Sequence, residues 1–225
     1  MLTLAKQLEI NNSRMEFEEE VATFKKGNIN FSCYFQHVIQ RAYLDKELLV
    51  GDVAWYYHDQ IVGNFKKYGV LPICQVIMPS HIHELYYCNN VVDISRLRSV
   101  ACRNATVFAK KIQKENNYKK IIPHLFEPNP GYVAIKDSRQ LMVLLKYIRD
   151  NDLYLKEIGK KAPYSSFDKW ENSNFYKPFA LEGLEHILGM RLEEIKQLIQ
   201  KDRADVLAVA KTLKTDKKMF IHPVM

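Results

Sequence analysis

The chain has 225 residues, a formal charge of +7, 47% apolar residues, and only eight glycines and eight prolines. That balance suits a globular protein that buries a core, as one domain with an appendage or as two small domains, and it excludes fibrous and low-complexity classes. No run approaches the ~20 apolar residues of a membrane span, and MLTLAKQLEINNSRMEFEEE lacks the apolar stretch of an export signal. A cytoplasmic protein with no membrane partner is therefore expected.

Residues 1–29 read as an amphipathic helical segment that breaks at Gly27 and Asn28. FSCYFQHVIQRA (31–42), rich in aromatic and β-branched residues, predicts a first strand. Asp52 is placed to cap a helix that runs to about Lys67 and stops at Gly69. VLPICQVIM (70–78) and SHIHELYYC (80–88) predict two strands joined at Pro79-Ser80 as an antiparallel hairpin. After Asn89-Asn90, Asp93 or Ser95 can cap a helix whose apolar stripe is Ile94, Leu97, Ala101, Ala105, Phe108 and Ile112. EPNPG (127–131) is a loop, YVAIKD (132–137) a fourth strand, and Ser138 a cap for a helix running to about Asn151.

The order β-α-β-β-α-β-α predicts an α+β domain over 30–155. It is ferredoxin-like (RRM-like): an antiparallel sheet with helices on one face and the other face free for a site. Residues 156–225 form a polar, aromatic linker and a C-terminal helical extension. Two of its helices meet at Gly189, as either a plain hairpin or a DNA-binding helix-turn-helix. The four cysteines form no CxxC pair and read as reduced, small apolar residues. Excess positive charge gathers in 96–120 and 201–218, which fits either a polyanion partner or a solvated surface.

Strand alternation puts His81 and His83 on one face, with Ile82, Glu84 and Cys88 on the other. Two imidazoles on one face are the start of a metal site or, equally, two unrelated histidines. On the helix after Ser138, Leu141, Leu144, Leu145 and Ile148 form the buried stripe. Tyr147 lies at its edge, with Asn151 one turn above. No HExxH, GxxxxGK[ST], GxGxxG or GxSxG motif is present.

These segments together resemble a known family. VIMPSHIHEL is similar to the His-hydrophobic-His motif of the single-tyrosine HUH transposases, including the Met-Pro lead-in of the insertion-sequence and REP-associated members. FQHVIQR (35–41) is similar to their first-strand signature, and LLKYIRDN (144–151) to the segment that carries the nucleophile. The resemblance covers roughly residues 30–152. It implies Tyr147 as nucleophile, and His81, His83 and Asn151 as ligands of Mg²⁺ or Mn²⁺. It implies cleavage and rejoining of single-stranded, hairpin-flanked DNA through a 5′-phosphotyrosine intermediate. A homodimer with exchanged tyrosine helices and a self-sufficient monomer are both found among such proteins. Gln40 and Arg41 on the first strand, and Arg98, Arg103, Lys110 and Lys111 on the basic helix, are the candidates for DNA contact.

Three features depart from the family pattern. Asn151 is followed by Asp152-Leu153-Tyr154-Leu155 instead of Pro-Val-x-Ala. Glu84 stands where an apolar residue is usual, and no Gly-Arg-Phe precedes the fourth strand. A rival reading from another class is a non-catalytic protein that binds DNA hairpins with the same sheet.

Overall fold

The computed structural model describes residues 35–88, 91–118, 121–135, 137–168, 184–185 and 188–213. The helix expected over 1–29, the first four residues of the strand expected from 31, and the basic end after 213 lie outside the described residues.

The strands are β1 (Phe35–Arg41), β2 (Val70–Ile77), β3 (His81–Cys88), β4 (Gly131–Ala134) and the short β5 (Tyr164–Ser165). They form one sheet in the order β4-β1-β3-β2-β5, with every pairing antiparallel. The first four strands interleave as two split βαβ units, the ferredoxin-like arrangement, and β5 adds an edge. The fold is thus α+β with an open antiparallel sheet.

Helices α1 (Gly51–Asn64) and α2 (Val91–Glu115) cover one face. From α1, Ala54, Tyr57, His58 and Ile61 are buried at helical spacing. From α2, Ile94, Leu97, Ala101 and Ala105 join them against Val38, Ile77, Ile82 and Tyr86. Phe108, expected in that stripe, instead stacks on Tyr56 at the rim, 4.2 Å between ring centroids, and Ala109 is buried in its place.

A third long helix, α3 (Ser138–Glu157), packs on the opposite face against Phe35, Cys74, Val76, Leu85 and Tyr87. That face is therefore not left open along its whole length. The α3 cap is Asp137, not Ser138: its Oδ1 accepts the Gln140 N–H at 2.8 Å from an extended backbone. The helix also runs past Asn151 to Glu157. It can do so because α4 (Leu192–Leu198) and α5 (Arg203–Thr212) cover its outer side, so Met142, Val143, Lys146 and Asp152 are buried as well.

Beneath the sheet, on the α1/α2 side, lies a buried polar network. The Arg98 Nε donates to Glu84 Oε2 at 2.7 Å, and both side chains are almost wholly buried. Glu84 also accepts from the Tyr57 hydroxyl at 3.1 Å and from Gln75 Nε2 at 2.8 Å. The Arg98 Nη2 donates to Gln40 Oε1 at 3.3 Å, and the Gln40 Nε2 in turn to the Glu127 carbonyl at 2.8 Å. Burial first, then the adjacent Glu84 carboxylate, holds the Tyr57 and Tyr86 phenols well above the ordinary tyrosine range. Burial disfavours the Arg98 charge, but the surrounding oxygens of Tyr57 and Glu84 more than offset it, and its pKa is raised.

Removing one member of a buried ion pair leaves the other charge without compensation. Arg98→Ala is expected to lower the unfolding free energy by about 3–5 kcal/mol, read from the urea midpoint. A loss below about 1 kcal/mol would show that this pair does not anchor α2 to the sheet.

Candidate functional site

The β2–β3 hairpin turns at Pro79-Ser80 and closes with the Met78 N–H donating to the His81 carbonyl at 2.8 Å. Its tip is held from outside: the Ser80 carbonyl accepts the Ala42 N–H at 2.7 Å, and the Pro79 carbonyl accepts the Leu49 N–H at 2.9 Å. His81 is therefore set at the first position of β3 by a tethered turn. Ser80 Oγ lies 3.1 Å from His81 Nδ1.

His81 and His83 face the same layer, their ring centroids 4.9 Å apart and their planes nearly perpendicular. The register places Ile39 of β1 opposite His83, and His37 opposite Leu85. His37 thus stands diagonally across from His83 on the same face, a separation that long side chains bridge. Its Nε2 lies 3.2 Å from His83 Nδ1, and both residues are buried. FQHVIQR was legible as a strand signature, but His37 was missed as a member of the site. The period-two count on β1, laid beside β3, carries that signal.

Helix α3 brings Tyr147 over these rings. Its ring centroid is 5.3 Å from that of His83 and 6.1 Å from that of His37, edge-on to both. Asn151 follows one turn later, and its Nδ2 donates to the Tyr147 carbonyl at 2.9 Å. That bond uses the amide nitrogen, so the oxygen is the amide's candidate ligand atom. His81, His83, Tyr147 and Asn151 are therefore held by one chain on two facing elements.

The side of α3 turned from the sheet is pinned. Asp150 bridges Lys146 at 2.7 Å and Arg203 of α5 at 2.6 Å, and Arg149 Nη1 donates to the Ile199 carbonyl at 3.1 Å. These residues alternate along the helix with Tyr147 and Asn151, so the C-terminal helices fix the rotation of α3 about its axis.

No group of three His, Cys, Asp or Glu residues able to hold a metal occurs among the described residues. The candidate ligand set is two imidazoles and an amide oxygen. Such a neutral nitrogen–oxygen set with open positions suits Mn²⁺ or Mg²⁺, the imidazoles favouring manganese. None of its members is anionic, so they would leave the full charge of a bound ion unneutralised.

The expected DNA-contact residues fall in three places. Arg41 lies at the end of β1 opposite His81, exposed and paired with Asp45 at 3.2 Å. Gln40, a candidate for DNA contact, and Arg98, a candidate for phosphate contact, are both buried on the other side of the sheet and committed to the network around Glu84. Alternation explains Gln40, and the 3.6-residue period turns Arg98 inward beside Leu97. Lys111 is exposed and 3.8 Å from Glu115, while Arg103 and Lys110 line a cavity on the α2 side.

No protein-family model matches the chain, and no curated protein matches it. Among solved structures it is similar to a Deinococcus radiodurans R1 protein assigned as a transposase. That match has 17% identity and a TM-score of 0.39, over 56% of this chain and 96% of that one. It is also similar to a REP-associated tyrosine transposase bound to a REP hairpin. There the identity is 13% and the TM-score 0.47, over 68% of this chain and 87% of that one.

Asp150→Ala would remove the carboxylate that bridges Lys146 and Arg203. A loss of about 2–3 kcal/mol is expected, below the fully buried range because Arg203 is partly wet. Amide exchange should quicken across 192–212 before it does in the sheet. Unchanged exchange there would mean that apolar packing alone docks these helices.

Proposed function

We propose that the chain is a metal-dependent enzyme that cuts and rejoins single-stranded DNA, with Tyr147 as the nucleophile. The observation that carries this reading is the Tyr147 ring standing 5.3 Å from that of His83, which itself lies 4.9 Å from the His81 ring of the same chain. A phenol, two imidazoles and an amide oxygen on one rim have the composition needed for phosphoryl transfer to tyrosine. The motif resemblance adds the substrate, hairpin-flanked single-stranded DNA.

His81, His83 and the Asn151 oxygen hold Mn²⁺ or Mg²⁺ in this reading. A bound divalent ion supplies polarisation of the scissile phosphate and offsets charge as it builds. A free tyrosine ionises near ~10, so it needs placement and local help to attack at neutral pH. Tyr147 is placed by α3, which the Asp150 bridges hold in rotation. Its oxygen forms the new bond to phosphorus as the bond to the 3′ oxygen breaks. The phenol gives up its proton and the departing 3′ oxygen takes one up. The product is a 5′-phosphotyrosine link and a free 3′-hydroxyl, and attack by another 3′-hydroxyl reverses the step without ATP.

His37 is a positioning residue here. In this reading the His83 Nδ1–H donates to His37 Nε2, 3.2 Å away, which would fix the His83 tautomer with Nε2 as its ligand atom. His37→Ala is expected to weaken Mn²⁺ binding, followed by electron paramagnetic resonance, about 10–100-fold. Unchanged affinity would remove His37 from the site.

The deciding experiment incubates labelled single-stranded DNA from the flanks of the gene with Mn²⁺ and resolves the products on a denaturing protein gel. A metal-dependent adduct carrying the 3′-side fragment is expected for the wild type, and none for Tyr147→Phe. Tight binding with no adduct under either metal would favour a hairpin-binding protein instead. Mixing His81→Ala with Tyr147→Phe should restore nothing, because each site draws both elements from one chain. Restored adduct would mean that α3 is exchanged between copies.

A further inference from the structure

A cavity of about 490 Å³ opens on the side of the sheet away from Tyr147, between α2 and the segment 124–132. One wall is a single line of α2 made by Ser95, Ser99, Arg103, Thr106 and Lys110, spaced at three and four residues. Along a helix that line is about 22 Å long. The facing wall is apolar and aromatic, with Phe126, Pro128, Pro130 and Tyr132.

The charges facing the cavity do not cancel. Arg98 is matched by Glu84 below it. The Glu127 carboxylate accepts the Leu44 N–H at 2.6 Å and keeps its negative charge, so it offsets one of the two further cations. Burial first pushes the Cys102 thiol up to about 11, so that group is neutral. His124 adds an imidazole at the exposed end, in edge contact with Tyr43. Arg103 and Lys110 remain, and among the described residues neither makes an ion pair.

A cation-and-hydroxyl wall facing an aromatic one matches a polymer that is anionic along one edge and flat and apolar along the other. We propose that this cavity is a second nucleic-acid site, where Arg103 and Lys110 take phosphates of an unpaired strand and bases lie against Tyr132 and the prolines. A free phosphate would use only the basic wall and leave the aromatic one idle. The proposal borrows from the reading above only the identity of the polymer. It places strand contacts on both sides of the sheet, the chemistry on one and the grip on the other.

The test measures anisotropy of a labelled, unstructured oligothymidylate of about 20 nucleotides, with the full chain, chelator present, over a range of salt. Arg103→Ala/Lys110→Ala is compared with Lys66→Ala/Lys114→Ala, which removes the same charge from exposed positions outside the cavity. The cavity variant should weaken binding at least about tenfold and reduce the slope of log affinity against log salt by about 1.4, two single-strand phosphate contacts. The control pair should cost less than about threefold. Equal losses in both pairs would show a diffuse charge effect and overturn the proposal, as would no loss in either. Displacement of the strand by inorganic phosphate at constant ionic strength would reassign the cavity as a phosphate site. Tyr147→Phe should bind the strand as the wild type does while losing the adduct, so failure of this proposal and failure of the proposed chemistry give different results.

Discussion

The two-residue period of β3 is the constraint on which the rest depends. β3 is hydrogen-bonded to β1 on one side and β2 on the other, and helices cover parts of both its faces. Alternation sends His81, His83, Leu85 and Tyr87 towards α3, and Ile82, Glu84, Tyr86 and Cys88 towards α1 and α2. A slip of one residue would drive Glu84 among the leucines of α3 and turn both histidines into the opposite core. The partners of Glu84 would then face nothing. We read the Glu84–Arg98 pair as a device that makes this error costly. A buried ion pair adds little net stability against an apolar alternative, but it strongly penalises any register in which one charge is left alone.

The same constraint divides the molecule's work. The layer beneath α3 gathers imidazoles, a phenol and an amide. The layer beneath α1 and α2 is a closed polar network bordered by a basic cavity. The helix that carries Tyr147 does not hang free over its face. It is clamped between the sheet and the C-terminal helices, with the Asp150 bridges on its outer side. In the proposed reaction Tyr147 would have to be held to within about 0.5 Å and 10–20° of its productive geometry, and such support is how a fold does it. The C-terminal region thereby has a structural task at the candidate site.

Much of this was legible in the sequence because strands and helices declare their periods. The hairpin around Pro79-Ser80, the shared face of His81 and His83, the turn of Glu84 away from them, and the one-turn spacing of Tyr147 and Asn151 follow from counting residues. What needed the fold was every relation between segments distant in the chain. His37 joins His83 only through the β1–β3 register, and Arg98 meets Glu84 only because α2 crosses β3 there. A basic residue on a helix looks like a surface contact until a buried carboxylate is known to lie beneath it. The burial of charged residues on α3 was hidden for the same reason: Lys146 and Asp150 are buried because a later helix brings Arg203 against them.

The central claim is that one chain assembles a divalent-cation site from β3 and α3. It is tested most directly by titrating Mn²⁺ into protein labelled at tyrosine, histidine and asparagine side chains and following paramagnetic broadening by nuclear magnetic resonance. The account predicts that the signals of His81, His83, Tyr147 and the Asn151 amide broaden first and together, at substoichiometric metal, and that His81→Ala abolishes this. Broadening that begins elsewhere, or that reaches the histidines without Tyr147 and Asn151, would contradict it.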